Sequence, residues 1–208
     1  MKTRWKKWLM RMVLVVLGLV TLLALGSYWT LRRSLPILDG TVSVAGIQSD
    51  IRIERDALGV PSILSESMED SAFALGFLHA QDRFFQMDLM RRRPVGELSV
   101  LFGKTALNYD ISQRKHNLSA VAAQAFQQES LKNRSSAEAY AKGVNAGLSQ
   151  LGKKPFEYYL LGLEPEPWKP EHSFQVILSM FFELHDSEAQ QEYHMGLVRE
   201  SMPEEWVA

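Results

Sequence analysis

The chain contains no cysteine. Disulfides and thiolate metal sites are therefore excluded. The compartment stays open on this point, because exported proteins also do without cysteine. There is no excess of charge of either sign: 23 Lys and Arg face 24 Asp and Glu, a formal net charge of −1. That balance gives no electrostatic case for a nucleic-acid partner. Low-complexity segments and internal repeats are also missing. What is present is a chain of 208 residues, enough for one domain with a sizeable core.

Residues 1–35 form a separate physical object. "MKTRWKKWLMR" carries Lys2, Arg4, Lys6, Lys7 and Arg11, and the run Met12 to Trp29 that follows has no charge. Roughly 18 apolar residues can just span a bilayer. The basic flank should stay in the cytoplasm and send the remainder across, although Arg32 and Arg33 weaken the asymmetry. Tyr28 and Trp29 suit the far interface. A signal anchor and a cleaved signal peptide compete here. The run is long for a signal peptide and no clean A-x-A site follows, so the anchor is favoured. It would hold the bulk of the protein, residues 36–208, in the periplasm at the inner membrane.

Beyond "LPILDG", a linker out of the membrane, the pieces "TVSVAG" and "DIRIERD" alternate in polarity and read as a strand pair. "GVPSIL" gives a short extended segment, with Pro61 biasing Val60 away from helix. From Ser67 onward helix dominates, so the fold class is α+β and mostly helical. "SMED" places Ser67 at an N-cap with Asp70 close to the reciprocal capping-box position. This helix should run to Arg92 and stop at Pro94. "GELSVLFG" predicts a short helix between glycines. "DISQRKHNLSAVAAQAFQQES" and "SSAEAYAKGVNAGLSQLG" predict one amphipathic helix each. A turn-rich connection with four prolines, "KPFEYYLLGLEPEPWKPEHS", leads to a last long helix, with a break expected near Asp186.

The helix from Ser67 to Arg92 has apolar residues on two flanks. Phe73, Phe77, Ala80, Phe84 and Met87 lie on one, and Leu78, Phe85 and Leu89 on the other. Between them runs a polar stripe of His79, Asp82, Arg83 and Gln86, spaced i, i+3, i+4, i+7. A helix wedged on two sides should bury this stripe at least in part. Buried charge is costly unless paired, so Asp82 and Arg83 should be tied to loops or to other charges. An acid/base role for His79 and Asp82 is the alternative, but no nucleophile lies nearby in sequence.

The same residues carry a family resemblance. "IERDALGVPSILSESMEDSAFALGFLHAQDRFFQMDLMRRRPVGELSVLFG" resembles the opening of the penicillin acylase family. The family pattern there is R-D-x-x-G-V-P-H-I, then G-F-x-H-A-Q-D-R-x-x-Q-M, then a basic pair and G-x-L-A-E-L-F-G. "DISQR" resembles its D-x-x-x-R, "YAKGVNAGL" its Y-A-x-G-V-N-A, and "PFEYYLLGLEPEPWKPEHS" its P-x-E-Y-x-L-L-G-x-x-P-E-P-W-x-P-x-D-S. The matches run in order from Ile53 to Ser173. Departures are Ser62 for His after G-V-P and His172 for Asp before Ser173.

The resemblance implies an N-terminal nucleophile hydrolase with an αββα sandwich, of which this chain would supply the α-subunit part. Family members arise as precursors that cut themselves into a small α and a large β subunit. The serine that begins β attacks the amide, with its own amino group as base. Donors from β stabilise the oxyanion. Substrates are N-acyl amides such as β-lactams and N-acyl homoserine lactones. No serine of this chain fits the nucleophile, so no catalytic residue is expected in it. The closing "SMPEEWVA" begins like a helix, with Pro203 before Glu204 and Glu205, and is read as a chain cut short of its β partner. The rival reading is a membrane-anchored helical binding module without chemistry of its own.

Two contributions to the active centre are implied for this chain. One is a glutamate in the last helix that shares a calcium ion with aspartates of β. Glu192 fits best, with Glu188 second. Calcium takes several oxygens, so one glutamate cannot make the site alone. The bland reading of the pair, spaced i, i+4, is a solvated face. Zinc is disfavoured because H-E-x-x-H is absent. The other contribution is to the acyl pocket. "SMFFELH" resembles the segment that lines it, with Met180 and Leu184 facing the acyl group and Phe181 and Phe182 close by. Ordinary core packing is the competing explanation of these four.

Overall fold

The structure is a computed structural model that describes residues 2–36 and 38–202, with the side chains of 2–4, 7 and 186–190 left aside. The sequence pattern at Pro203 to Glu205 lies outside the described residues, as does the side chain of Glu188.

The first element, α1 (Lys2–Arg33), is a single exposed helix. Its stretch Trp8–Arg33 is long and apolar enough to cross a membrane, with mean hydropathy 2.4. Two strands follow, β1 (Arg52–Arg55) and β2 (Pro61–Leu64), paired antiparallel with Ile53 opposite Ile63. The turn between them is built by Asp56. Its carboxylate accepts from the backbone N–H of Leu58 and of Val60, both at 2.9 Å. Gly59 takes the positive φ of +80° that the turn requires. The pairing therefore differs from the sequence expectation. "DIRIERD" pairs with "PSIL" rather than with "TVSVAG", which is in no strand. The Asp56 turn supplies its own hydrogen bonds, with Gly59 N–H donating to the Asp56 carbonyl (2.9 Å) and Asp56 N–H to the Val60 carbonyl (3.1 Å), whereas the N–H groups of Gln48 and Ser49 between the other two segments are taken by Asp70.

The body is helical: α2 (Met68–Arg92), α3 (Ser99–Phe102), α4 (Leu107–Arg114), α5 (Leu118–Gln128), α6 (Leu131–Gln150), α7 (Phe156–Leu161) and α8 (Pro170–Ser201). Ser67 caps α2 by accepting from Asp70 N–H at 3.0 Å. The carboxylate of Asp70 does not complete the expected capping box. It is buried and accepts instead from the N–H groups of Gln48 (2.8 Å) and Ser49 (3.2 Å). Asp110 repeats the device, buried and accepting from Leu98 N–H (2.9 Å) and Ser99 N–H (2.7 Å). The Arg114 side chain adds a bond, its Nε donating to the Gly96 carbonyl at 2.9 Å. The D-x-x-x-R pattern is thus a clasp on the loop that leads into α3.

The segment from Asp110 to Ser130, expected as one helix, is divided between α4 and α5. Asn117 interrupts it in the left-handed region, with φ +49°. Asparagine tolerates this conformation better than most residues. The last helix shows the opposite departure: α8 continues through Asp186 without the expected break. The proline-rich connection also contains the helix α7.

Helices α2 and α6 form the centre. Three glycines let their backbones touch. A Cβ added to Gly76 would overlap the Tyr140 carbonyl, one on Gly143 the Phe73 carbonyl, and one on Gly147 the Phe77 carbonyl. Around this contact Ala80, Phe84 and Met87 of α2 pack with Ala141 and Val144 of α6, Tyr158 of α7 and Trp168. Asn145 fixes Trp168 through its amide, accepting from Trp168 N–H (2.7 Å) and donating to Trp168 C=O (2.9 Å). The motifs G-V-N-A-G and P-E-P-W are therefore halves of one packing unit.

Candidate functional site

The polar stripe on α2 is not the buried one. Asp82, Arg83 and Gln86 are exposed and His79 is half-buried. α2 is kinked at Arg83. His79 and Asp82 do not act on a common point. The His79 Nδ1 lies 2.9 Å from the Tyr140 hydroxyl, while Asp82 pairs with Arg55 Nη2 at 3.0 and 3.1 Å. The expectation that Asp82 is tied to another charge holds. Burial lowers the pKa of His79, helped by Arg83 and opposed by Asp82, and burial pushes Tyr140 up to about 12. Arg55 also donates to the Gly59 carbonyl at 2.9 Å, so the pair pins the β1–β2 turn to α2.

The buried charges lie one turn further on. Asp88 is fully enclosed and takes Arg91 Nη2 at 2.6 Å and Arg92 Nε at 2.9 Å on one oxygen. The Tyr158 hydroxyl donates to its other oxygen at 2.7 Å. Both arginines reach Glu166 at 3.1 Å. Two carboxylates thus meet two guanidinium groups, which is the condition under which burial of charge is tolerated. For Arg92, burial opposes ionisation, but Asp88 and Glu166 outweigh it and raise its pKa. For Glu166 burial is likewise outweighed by the two arginines, which lower its pKa. Tyr158 is raised well above its ordinary value by burial and by Asp88. The spacing of Asp88 with Arg91 and Arg92, i+3 and i+4, was the available sequence signal for this cluster.

His172 closes the network from α8. Its Nδ1 accepts from Lys169 N–H at 3.1 Å, which places the proton of the neutral ring on Nε2. Arg91 Nη1, 3.5 Å from Nε2, therefore faces a donor and makes no useful hydrogen bond. Burial, then Arg91 and Lys169, lower the pKa of His172 to about 3. The cluster locks α2, α7 and the start of α8 together. Its ionised groups are occupied by one another.

The residues read as acyl-pocket lining lie on α8, next to this framework. Met180, Phe181 and Leu184 are exposed, and Phe182 is half-buried. Phe181 stacks on His185 with centroids 4.3 Å apart, and Phe182 packs against His116 at 5.1 Å. Phe182 also lines a cleft of about 220 Å³ with Arg93, Pro94, Tyr109, Ser179 and Glu183. Arg93 spans that cleft, donating to the Tyr109 hydroxyl at 3.1 Å and to Glu183 at 2.9 Å. Tyr109 and Glu183 together raise the Arg93 pKa against some burial. Met180 and Leu184 do not line this cleft. A wider cleft of about 460 Å³ lies between residues 38–55 and α2, with Val44, Ile51, Phe73 and Phe77 among its walls.

Glu192 is exposed on α8. Among the described residues no three His, Asp or Glu side chains come together as a metal set. The ligands of a calcium ion, six to eight oxygens, are not supplied by these residues alone.

The helical arrangement is shared with a solved hydrolase. The thermostable penicillin G acylase from Alcaligenes faecalis matches with a TM-score of 0.62, covering 76% of this chain and 87% of that one. At 24% identity this likeness establishes the fold alone. The penicillin amidase family model matches residues 50–208, and the chain belongs to that family. Its members are amidohydrolases. The penicillin acylase 2 proenzyme of Pseudomonas sp. strain SE83 is 40% identical over 147 residues, 71% of this chain and 19% of that protein. The acyl-homoserine lactone acylase QuiP of Pseudomonas fluorescens is 34% identical over 155 residues, 74% of this chain and 19% of the relative. The chain thus spans about a fifth of the length of these curated relatives.

Proposed function

We propose that this chain is the α-subunit portion of an N-terminal nucleophile amidohydrolase that cleaves the linear amide of N-acyl compounds. The observation that carries this reading is the family match across residues 50–208, joined to a span of 19% of the relatives' length. On that scale the reactive serine belongs to a β segment encoded further along the same precursor. The α portion supplies scaffold. Its buried Asp88–Arg91–Arg92–Glu166 cluster holds α2, α7 and α8 in register, and α8 presents its exposed apolar residues to what lies opposite. Met180, Leu184, Phe181 and Phe182 are proposed to contact the acyl group, with Met suited to an adaptable apolar wall. Glu192 is proposed as one ligand of a calcium ion completed by β carboxylates. The apolar α1 is proposed as the anchor in the inner membrane, with the remainder in the periplasm.

The test is expression of the complete coding region. Amine release should be measured with N-acyl homoserine lactones and with β-lactams bearing an acyl side chain. Self-cleavage to a serine-started β segment and hydrolysis of one of these classes are expected. Replacing that serine with alanine should abolish both. A precursor that stays whole and inert would favour the non-catalytic binding module.

A further inference from the structure

α1 does not leave the domain at an arbitrary point. Ser34, just past its last turn, donates through its hydroxyl to the Lys154 carbonyl at 2.8 Å. The backbone of Arg33 lies against Gly152. The end of α1 is therefore seated on the connection between α6 and α7. Lys154 in turn lies over the Tyr159 ring, 4.7 Å from its centroid. These contacts carry the exit of α1 directly onto α7.

α7 is short, and buried Tyr158 fixes its orientation. Its outward side carries Phe156, Tyr159 and Leu160, exposed by 45%, 41% and 80%. Spacings of three and four residues put them on one face. Lys154 lies over part of the Tyr159 ring, and the rest of this face stays open among the described residues. On α1 itself, Tyr28 and Trp29 are exposed one turn before Arg32 and Arg33, and Arg33 lies over the Trp29 ring at 5.4 Å. Aromatic residues followed by arginine mark the depth at which a spanning helix meets the headgroups.

We propose that the outward face of α7, with Phe156, Tyr159 and Leu160, is a membrane-interface contact that lies in the headgroup layer beside the exit of α1. This rests on the reading of α1 as a membrane span. The occupant is the phospholipid interface because the polypeptide tethers α7 to it: only Ser34 and its contacts separate the span from residues 152–154. An apolar helical face in that layer buries into the upper acyl region by about 5–10 Å. Charge at the patch is mixed. Exposed Lys153 adds to Arg32 and Arg33, while Glu164 neutralises Lys154 at 2.6 Å and Glu157 is half-buried. The contact is therefore apolar in origin, with no need for anionic lipid. It would fix the tilt of the domain, so that the same side always faces the membrane.

The absence of cysteine from these residues makes the test direct. The complete gene product, freed of any other cysteine, is given Val20→Cys, Leu160→Cys or Leu131→Cys and a polarity-sensitive fluorophore. It is then reconstituted in phosphatidylcholine nanodiscs with or without brominated acyl chains. Leu131 is 83% exposed and opens α6, about 30 Å along that helix from the α7 end. Brominated lipid should quench the label at residue 20 most. The label at residue 160 should be quenched several-fold more than that at residue 131. If residue 20 is quenched while residue 160 is open to aqueous iodide, or shielded from both quenchers by other protein, the proposal is overturned and the span stands. If residue 20 is not quenched, the span reading fails and takes the proposal with it.

Discussion

Gly143 sits against the backbone of Phe73 so closely that a Cβ on it would overlap the Phe73 carbonyl oxygen. Neither backbone can give without separating α2 from α6, the two helices that carry the core. Gly143→Ala should therefore destabilise by about 2 kcal/mol or more, in the range of overpacked cores. Gly196, within α8, has nothing within 4 Å of its added Cβ. There Gly196→Ala should be neutral or stabilising by up to about 1 kcal/mol, because alanine is the better helix former. The thermal melt should fall for Gly143→Ala and hold or rise for Gly196→Ala. Equal shifts would remove the argument for close helix contact.

Tyr158 and Asp88 test the buried cluster. Tyr158→Phe keeps the ring and removes the donor to one oxygen of Asp88. A buried acceptor left without its partner should cost about 1–3 kcal/mol. Asp88→Asn removes the charge that faces both arginines, and breaking a buried pair costs about 3–5 kcal/mol. Urea midpoints should rank the native protein above Tyr158→Phe and that above Asp88→Asn. The opposite ranking would mean that Glu166 alone compensates Arg91 and Arg92.

Much of this arrangement was legible in the sequence. The start of α2 at Ser67, its end before Pro94 and the short helix between glycines follow from local capping and breaking chemistry, which needs no tertiary information. The partner of β1 was misread because "TVSVAG" alternates in polarity, whereas "PSIL" reads only as a short extended segment. The choice lay in the Asp56 turn, whose hydrogen bonds belong to a closed loop. The polar stripe at His79 to Gln86 was expected to be buried at least in part because apolar residues flank it. His79 and the Asp82 side chain are partly covered, while Arg83 and Gln86 are exposed, because side-chain periodicity cannot say which gap between flanks another element fills. Asp70 and Asp110 show the same limit. Each looked like a local helix residue, and each serves backbone N–H groups that only the fold brings near.

Arg55 and Asp82 should contribute modestly and unequally. Their side chains are 17% and 24% exposed, so the pair is partly shielded and should lie toward the upper end of the about 0.2–1 kcal/mol that exposed pairs contribute. Asp82→Ala should stay within that range. Arg55→Ala also loses the bond to the Gly59 carbonyl and should cost about 1–2 kcal/mol, adding one hydrogen bond to the pair. The effect of Asp82→Ala should shrink in high salt, while part of the Arg55→Ala effect persists. A double-mutant cycle with a coupling near zero would dismiss the pair as a contributor.

His172 should make stability depend on pH in a defined window. In the folded protein its pKa is lowered to about 3, whereas the unfolded chain carries the ordinary value of 6.5. Between these values the unfolded state binds the extra proton. The contribution is therefore fully present above about pH 6.5 and is lost as pH falls toward 3, with a limiting slope of about 1.4 kcal/mol per unit. His172→Asn keeps an acceptor for Lys169 N–H and does not titrate, so its urea midpoint should change less between pH 7.5 and 5 than the native one. His172→Asp restores the residue of the family pattern. It would set a carboxylate against Arg91, whose buried Nε has no hydrogen-bond partner among the described residues. That variant should be at least as stable as the native protein at pH 7.5 and more stable at pH 5. The reason is that the arginine beside it favours the charged carboxylate, while the same arginine disfavours a charged imidazole. If all three proteins lose stability in parallel on acidification, another group carries the pH dependence and His172 is a bystander in the cluster.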